Sequence, residues 1–153
     1  MKKPSMSVRA ALIGPLGRSP RAPGTVATLI AGIPCAYLVG SLPAPFCIVL
    51  PALAFAYSIV VSQKAESELA REDPQEVVID ELVGYLVTMA AVQPTLKNLF
   101  VGFLLFRIFD IWKPWPVNLF QSRLRGGFAI VMDDVAAGVY AMGLVWIIDR
   151  VWT

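Results

Sequence analysis

Three short stretches of this chain carry charge inside otherwise apolar sequence. Asp80 and Glu81 stand in VVIDELVGYLV, Arg107, Asp110 and Lys113 in LLFRIFDIWKPWP, and Asp133 and Asp134 in GGFAIVMDDVAAGV. Their neighbours are the residues of membrane-spanning or deeply buried helices. Charge in such surroundings is costly unless it is paired, bound to a metal or placed at a polar cavity. One stray carboxylate could be structural. Five carboxylates with an Arg and a Lys instead read as a site for divalent cations and an anionic, phosphate-bearing substrate.

Each group can be weighed alone. Two acids at a helix start complement the helix dipole, so Asp80 and Glu81 have a structural explanation available. Gly84, one turn on, leaves room beside Asp80. Arg107 and Asp110 are spaced i, i+3 and can meet on one helix face, while Lys113 lies further round and precedes Pro-Trp-Pro. A self-neutralising pair explains the first two but not Lys113. Arg offers a planar fork to phosphate oxygens, and Lys a point charge. Asp133 and Asp134 are adjacent, about 100° apart on a helix, and repel unless a cation lies near them. Gly126, Gly127 and Gly138 permit close backbone approach around them. Oxygen-only ligands favour Mg²⁺, with Mn²⁺ as a substitute, over zinc or copper. In Pro23-Gly24-Thr25, Thr25 suits both a helix cap and a phosphate-contacting loop.

Composition narrows the class. Among 153 residues 57% are hydrophobic and 16% charged, where soluble domains have about 25% charged. Mean hydropathy is +0.66. One domain, residues 1–153, accounts for the length. A net charge of +2 without a basic stripe argues against nucleic acid as a partner. With no histidine, imidazole bases, phosphohistidine and imidazole-bound zinc are excluded. Cys35 and Cys47 lie in apolar runs without a CxxC pair and read as buried free thiols. The remaining chemistry belongs to carboxylates, Arg, Lys and hydroxyls.

The elements that must position these residues read as an all-α bundle. It is expected to be integral to a membrane, with up to five apolar helices at about 26–42, 46–62, 77–92, 98–112 and 128–148. Residues 1–25 read as a basic N-terminal loop on the cytoplasmic side, too long a basic lead for a signal peptide. Residues 63–76 are polar, a surface extension of the second helix stopped near Pro74, and 117–125 read as a short amphipathic interfacial segment. With the N-terminus in the cytoplasm, the inner side holds Lys2, Lys3, Arg9, Arg18, Arg21, Lys64, Arg71, Lys113, Arg123 and Arg125. The outer side holds only Lys97 and Arg150, as the positive-inside rule requires. Trp112, Trp115, Trp146 and Trp152 fall near the interfaces. All three charged groups then share one depth at the cytoplasmic face.

The strings APGTVAT, VVIDELVGYLVTM, FRIFDIWKPWP and GGFAIVMDDVAAG, in this order over residues 14–145, resemble the phosphatidylglycerophosphatase A family. The first departs from the family's usual PGTxGS. The resemblance implies a Mg²⁺-dependent lipid phosphatase of the bacterial inner membrane. Such an enzyme converts phosphatidylglycerophosphate to phosphatidylglycerol and inorganic phosphate, in phospholipid biosynthesis. By motif, Asp80, Glu81, Asp110, Asp133 and Asp134 would form the metal and catalytic set. Arg107 and Lys113, with Thr25, would hold the substrate phosphate. The rival class is a non-enzymatic membrane protein, a cation carrier or channel subunit, whose acids would line an ion path. Clustering of the acids at one face speaks against it. Oligomeric state is left open.

Overall fold

Prolines and polar caps set the helix boundaries. The computed structural model describes residues 4–115 and 125–152, which form helices joined by short turns. In chain order the α-helices are α1 (Met6–Ala11), α2 (Pro23–Gly40), α3 (Ala44–Leu69), α4 (Ile79–Met89), α5 (Leu96–Trp112) and α6 (Gly126–Val151). Pro23 opens α2, where its missing N–H costs nothing. Thr95 caps α5, its hydroxyl accepting from the Asn98 amide at 3.2 Å. Ala70, in the left-handed region, ends α3 before Pro74 is reached.

The five anticipated apolar segments are all helical, but they do different work. α2, α3 and α6 are long and apolar enough to cross a membrane. The third segment is shorter than its hydrophobicity suggested. α4 has 11 residues, about 16 Å at 1.5 Å per residue, against an apolar slab of about 30 Å. Eight of the 11 are buried, so α4 is a core helix enclosed by the others. The turn after it reaches the bundle end remote from the charged groups, where Pro94 packs on Gly40.

α4 packs most extensively on α6, and α6 also meets α3 and α5. Gly84 and Gly138 make the α4–α6 crossing close. A Cβ at Gly84 would lie 2.7 Å from the Asp134 carbonyl oxygen, and one at Gly138 would collide with the Gly84 carbonyl. Thr88 completes the crossing, its hydroxyl lying 3.0 Å from the Gly84 carbonyl of its own helix and 3.4 Å from the Gly138 carbonyl of α6. Tyr85 and Phe106 fill the centre, and the Tyr85 hydroxyl donates to the Leu99 carbonyl at 2.6 Å. The outer faces carry exposed Leu29, Ile30, Ile48, Leu53, Phe100 and Leu104, suited to lipid contact. Trp112, Trp115, Trp146 and Trp152 are exposed.

Two expectations for the connecting segments are corrected. Residues 1–25 are not simply a loop. α1 is capped by Ser5, and its Val8 and Ala11 pack with Val61, Ala65, Val77 and Ile130, because its apolar residues recur at helical spacing. Thr25 does not cap α2. It lies inside the helix, and the N-cap is Ala22, at φ 45°. The anticipated interfacial segment falls, up to Leu124, outside the described residues. Both cysteines are free thiols.

Candidate active site

α4 delivers Asp80 and Glu81 from its first turn. Two backbone hydrogen bonds fix the approach to that turn, Val77 N–H to the Pro74 carbonyl at 2.8 Å and Val78 N–H to the Ala11 carbonyl at 2.9 Å. α6 delivers Asp133 and Asp134 from its third turn. Its N-terminus is tied to α3, whose Gln63 side chain accepts from the Gly127 amide at 3.0 Å. That bond satisfies one of the amides every helix start leaves open. α5 delivers Arg107 and Asp110, and Lys113 is its C-cap residue. All seven charged residues named from the sequence line one cavity of about 330 Å³.

Within the cavity the acids divide. One oxygen from each of Asp80, Glu81 and Asp134 can be chosen so that all three lie within 4.8 Å of one another. Asp110 instead forms an ion pair with Arg107, Nη1 to Oδ2 at 2.7 Å, on the shared helix face that the i, i+3 spacing anticipates. Asp133 pairs with Lys113. The five-carboxylate set thus comprises a cluster of three and two acids paired with bases, of which Asp110 also lies against Asp134. Thr25 is not among the cavity-lining residues. The hydroxyl used near it is that of Thr28, which donates to the Gly24 carbonyl at 2.8 Å within a stretch of π-helix.

The donor set fits a hard divalent cation. Asp80, Asp133 and Asp134 are almost wholly buried. Asp80 Oδ1, Glu81 Oε2 and Asp134 Oδ2 are enclosed and have no hydrogen-bond partner among the described residues. Leaving such groups unsatisfied is expensive. Six carboxylates, Asp73 included, line the cavity against two bases. Without added positive charge the cavity would repel a phosphate. The oxygen-only ligands suit Mg²⁺ or Mn²⁺. Arg107 complements this from α5, close beside Glu81. Its Nε and Nη1 make no hydrogen bond among the described residues, so the Asp110 contact is an ion pair that leaves these donors for another acceptor.

Two parts of the wall go beyond the sequence reading: the contact Gly24 makes, and Asp73. Gly24 presses on Glu81, where a Cβ would overlap the carboxylate and lie 3.3 Å from Arg107 Nη1. This close approach explains a glycine at that position. Asp73 comes from the loop between α3 and α4. Its signal was an acid directly before proline in a polar stretch, a turn signature easily read as surface. The same loop holds an ion pair between Arg71 and Glu76 at 2.6 Å, and that hydrogen bond keeps the Glu76 carboxyl below its ordinary range. Backbone strain concentrates here. Of five described non-glycine residues with positive φ, Ala22, Asp73 and Lys113 line this cavity. Strain of that kind costs about 1–3 kcal/mol per residue and gathers at functional sites.

A larger cavity of about 530 Å³ opens near Asp149 and Arg150, about 22 Å along α6 from Asp134. Its lining is mostly apolar and lacks a carboxylate cluster.

Comparison with known proteins agrees with this chemistry. A protein of Escherichia coli strain K12 named phosphatidylglycerophosphatase A is 35% identical over 138 residues, 89% of this chain and 79% of the relative. A Haemophilus influenzae protein of the same name is 36% identical over 130 residues, 84% of this chain and 79% of its own. A Bacteroides thetaiotaomicron protein named "Putative phosphatidylinositol-3-phosphatase" is 35% identical over 97% of this chain and 99% of its own. No solved structure matches the chain. Residues 10–149 match the phosphatidylglycerophosphatase A family, and with two relatives of that name across most of its length, the chain belongs to this family.

Proposed function

We propose that this protein hydrolyses the phosphate monoester of phosphatidylglycerophosphate, in a Mg²⁺-dependent reaction at the cytoplasmic face of a bacterial inner membrane. The products are phosphatidylglycerol and inorganic phosphate. The observation that carries this reading is the cavity with Asp80, Glu81 and Asp134 clustered on one side and Arg107 and Lys113 among its lining. Cation ligands and phosphate ligands in one cavity suit phosphoryl transfer better than ion conduction.

A bound Mg²⁺ would supply the positive charge the carboxylates call for, neutralising phosphate oxygens and polarising phosphorus. Asp80, Glu81 and Asp134 would hold it. Arg107 donates Nε–H and Nη1–H to phosphate oxygens, and these bonds strengthen as charge shifts in the transition state. Asp110 keeps the guanidinium in place. Lys113 turns from Asp133 toward the incoming phosphate. That exchange leaves the Asp133 carboxylate able to take the proton of the attacking water. Water adds to phosphorus, the ester P–O bond breaks, and the glycerol oxygen leaves, taking up the proton that Asp133 accepted from the water.

The experiment is phosphate release by the purified protein in mixed micelles, with Mg²⁺ and with chelator, from phosphatidylglycerophosphate and from phosphatidylinositol 3-phosphate. Mg²⁺-dependent release from the first lipid, several-fold faster than from the second, is the expected result. No release from either would sink the reading. Faster release from the inositol lipid would move the substrate toward that named for the third relative.

A further inference from the structure

A recess of about 430 Å³ opens between α1 and α3, and none of its lining residues borders the reaction cavity. α1 contributes Met6, Arg9 and Ala10, at i, i+3 and i+4. α3 contributes Tyr57, Val60 and Lys64, at i, i+3 and i+7. Each wall thus sets one cation among apolar side chains. Arg9 and Gly14 also line an adjoining recess of about 190 Å³, to which Arg18 adds a third cation. Neither recess is lined by an acid. Among the described residues Arg9, Arg18 and Lys64 form no ion pair. The nearby acids of α3 are engaged elsewhere. Glu66 accepts from Gln63 Nε2 at 3.3 Å, and Glu68 from the Ser5 amide at 3.0 Å. Three like charges drawn from separate segments repel one another unless an anion lies among them.

We propose that this recess binds the headgroup of an anionic phospholipid, with an acyl chain running along Tyr57 and Val60 on α3. The site is separate from the reaction cavity and does not depend on the phosphatase reading. Its level along α3 selects a lipid. α3 carries no charge from Ala44 to Gln63, and Lys64 is its first. The stretch from Tyr57 to Lys64, about 10 Å of helix axis, therefore spans the passage from apolar to polar surroundings. Met6, Tyr57 and Val60 are all at least half exposed in this passage. A soluble anion would satisfy the cations and leave that apolar surface bare. A phospholipid covers both, and basic groups at a membrane surface favour anionic over zwitterionic headgroups.

The test is native mass spectrometry of the full chain, released from mixed detergent micelles holding equal amounts of phosphatidylserine and phosphatidylcholine. Phosphatidylserine serves as the anionic probe because it is neither substrate nor product of the proposed reaction. The wild-type protein should retain one phosphatidylserine in preference to phosphatidylcholine, by about 10-fold or more. Arg9→Gln combined with Lys64→Gln should bring the preference close to one. Both side chains are exposed, so melting temperature in phosphatidylcholine should stay near wild type. Lys64→Gln alone should lower the preference about 3-fold or more, and Arg9→Lys with Lys64→Arg, which keeps both charges, should retain it. Lys97→Gln with Arg150→Gln removes the same charge from the other end of the bundle and should leave the preference intact. Equal retention of the two lipids by the wild-type protein would overturn the proposal, as would an undiminished preference in the Arg9 and Lys64 variants. An equal loss in the Lys97 and Arg150 variant would overturn it too, reducing the effect to net charge. Displacement of the lipid by excess soluble glycerol 3-phosphate would do the same, since the apolar stripe would then contribute nothing.

Discussion

α3 and α6 are both 26 residues long, and both are apolar enough to cross a membrane. In the most apolar window of α3, 11% of residues are buried inside the protein, against 44% in that of α6. α3 turns Ile48, Leu53, Tyr57 and Val60 outward. α6 turns Asp133, Asp134, Ala137, Gly138 and Ala141 inward. Hydrophobicity therefore does not distinguish a lipid-facing helix from one that carries a reaction site. The small residues and the acids make the distinction. A lipid-facing helix needs only bulk and apolarity, because lipid tails are as apolar as leucine. A central helix needs close approach to its neighbours and groups that answer one another's charge.

The largest expected effect lies on α6. Asp134→Asn keeps the shape of the side chain and removes its charge from the three-acid cluster. It should lower phosphate release about 10³-fold or more, with helical content and melting temperature near wild type. Retention of half the activity at saturating Mg²⁺ would remove Asp134 from the catalytic set. On α5, Arg107→Ala should reduce kcat about 10²-fold. Lys113→Ala should act mainly on KM, because Lys113 lies at the helix end where screening weakens its charge. A reversal of those two signatures in steady-state kinetics would reverse their assigned roles.

Smaller effects concern packing. Gly84→Ala places a methyl against the Asp134 carbonyl and the Phe106 ring. It should destabilise the protein by about 1–3 kcal/mol, read as a lower denaturation midpoint, and should weaken Mg²⁺ protection of the fold because α4 and α6 are pushed apart. Leu53→Ala on the exposed face of α3 should shift stability by no more than about 0.5 kcal/mol in lipid. A large loss there would mean that α3 is covered by protein, such as a second copy of this chain. Orientation is open to labelling. In a background lacking Cys35 and Cys47, Ser67→Cys should resist an impermeant thiol reagent added to intact cells, and Thr95→Cys should react. Labelling of the first from outside would place the charged cavity on the other face.

Much of this could be read from the chain. Buried charge is so costly in apolar surroundings that Asp80, Glu81, Arg107, Asp110, Lys113, Asp133 and Asp134 announce themselves. The i, i+3 spacing foretells the Arg107–Asp110 pair, and the glycines foretell the α4–α6 crossing. The division of the acids was not legible. Whether Asp133 joins the cluster or pairs with Lys113 depends on how α5 and α6 meet, a long-range matter that spacing along one helix does not encode. Asp73 stayed hidden for a related reason. Its loop is polar, as surface loops are, and its approach to the cavity depends on α1 and the Arg71–Glu76 pair. Thr25 was misplaced as a cap because Ala22 adopts a left-handed conformation that alanine rarely takes. The length of α4 was overestimated because a core helix and a membrane span are equally apolar.

The cavity draws its wall from Ala22 to Asp134. Gly24 bears on Glu81, and the carbonyl of Asp134 bears on Gly84. Segments about fifty positions apart in the chain must meet before the three acids converge. Contacts of such separation bear the greatest loop-closure cost and tend to form late. Cation binding therefore belongs to the end of folding, and a chain released into the membrane piece by piece would carry its acids unassembled until its last helix arrived.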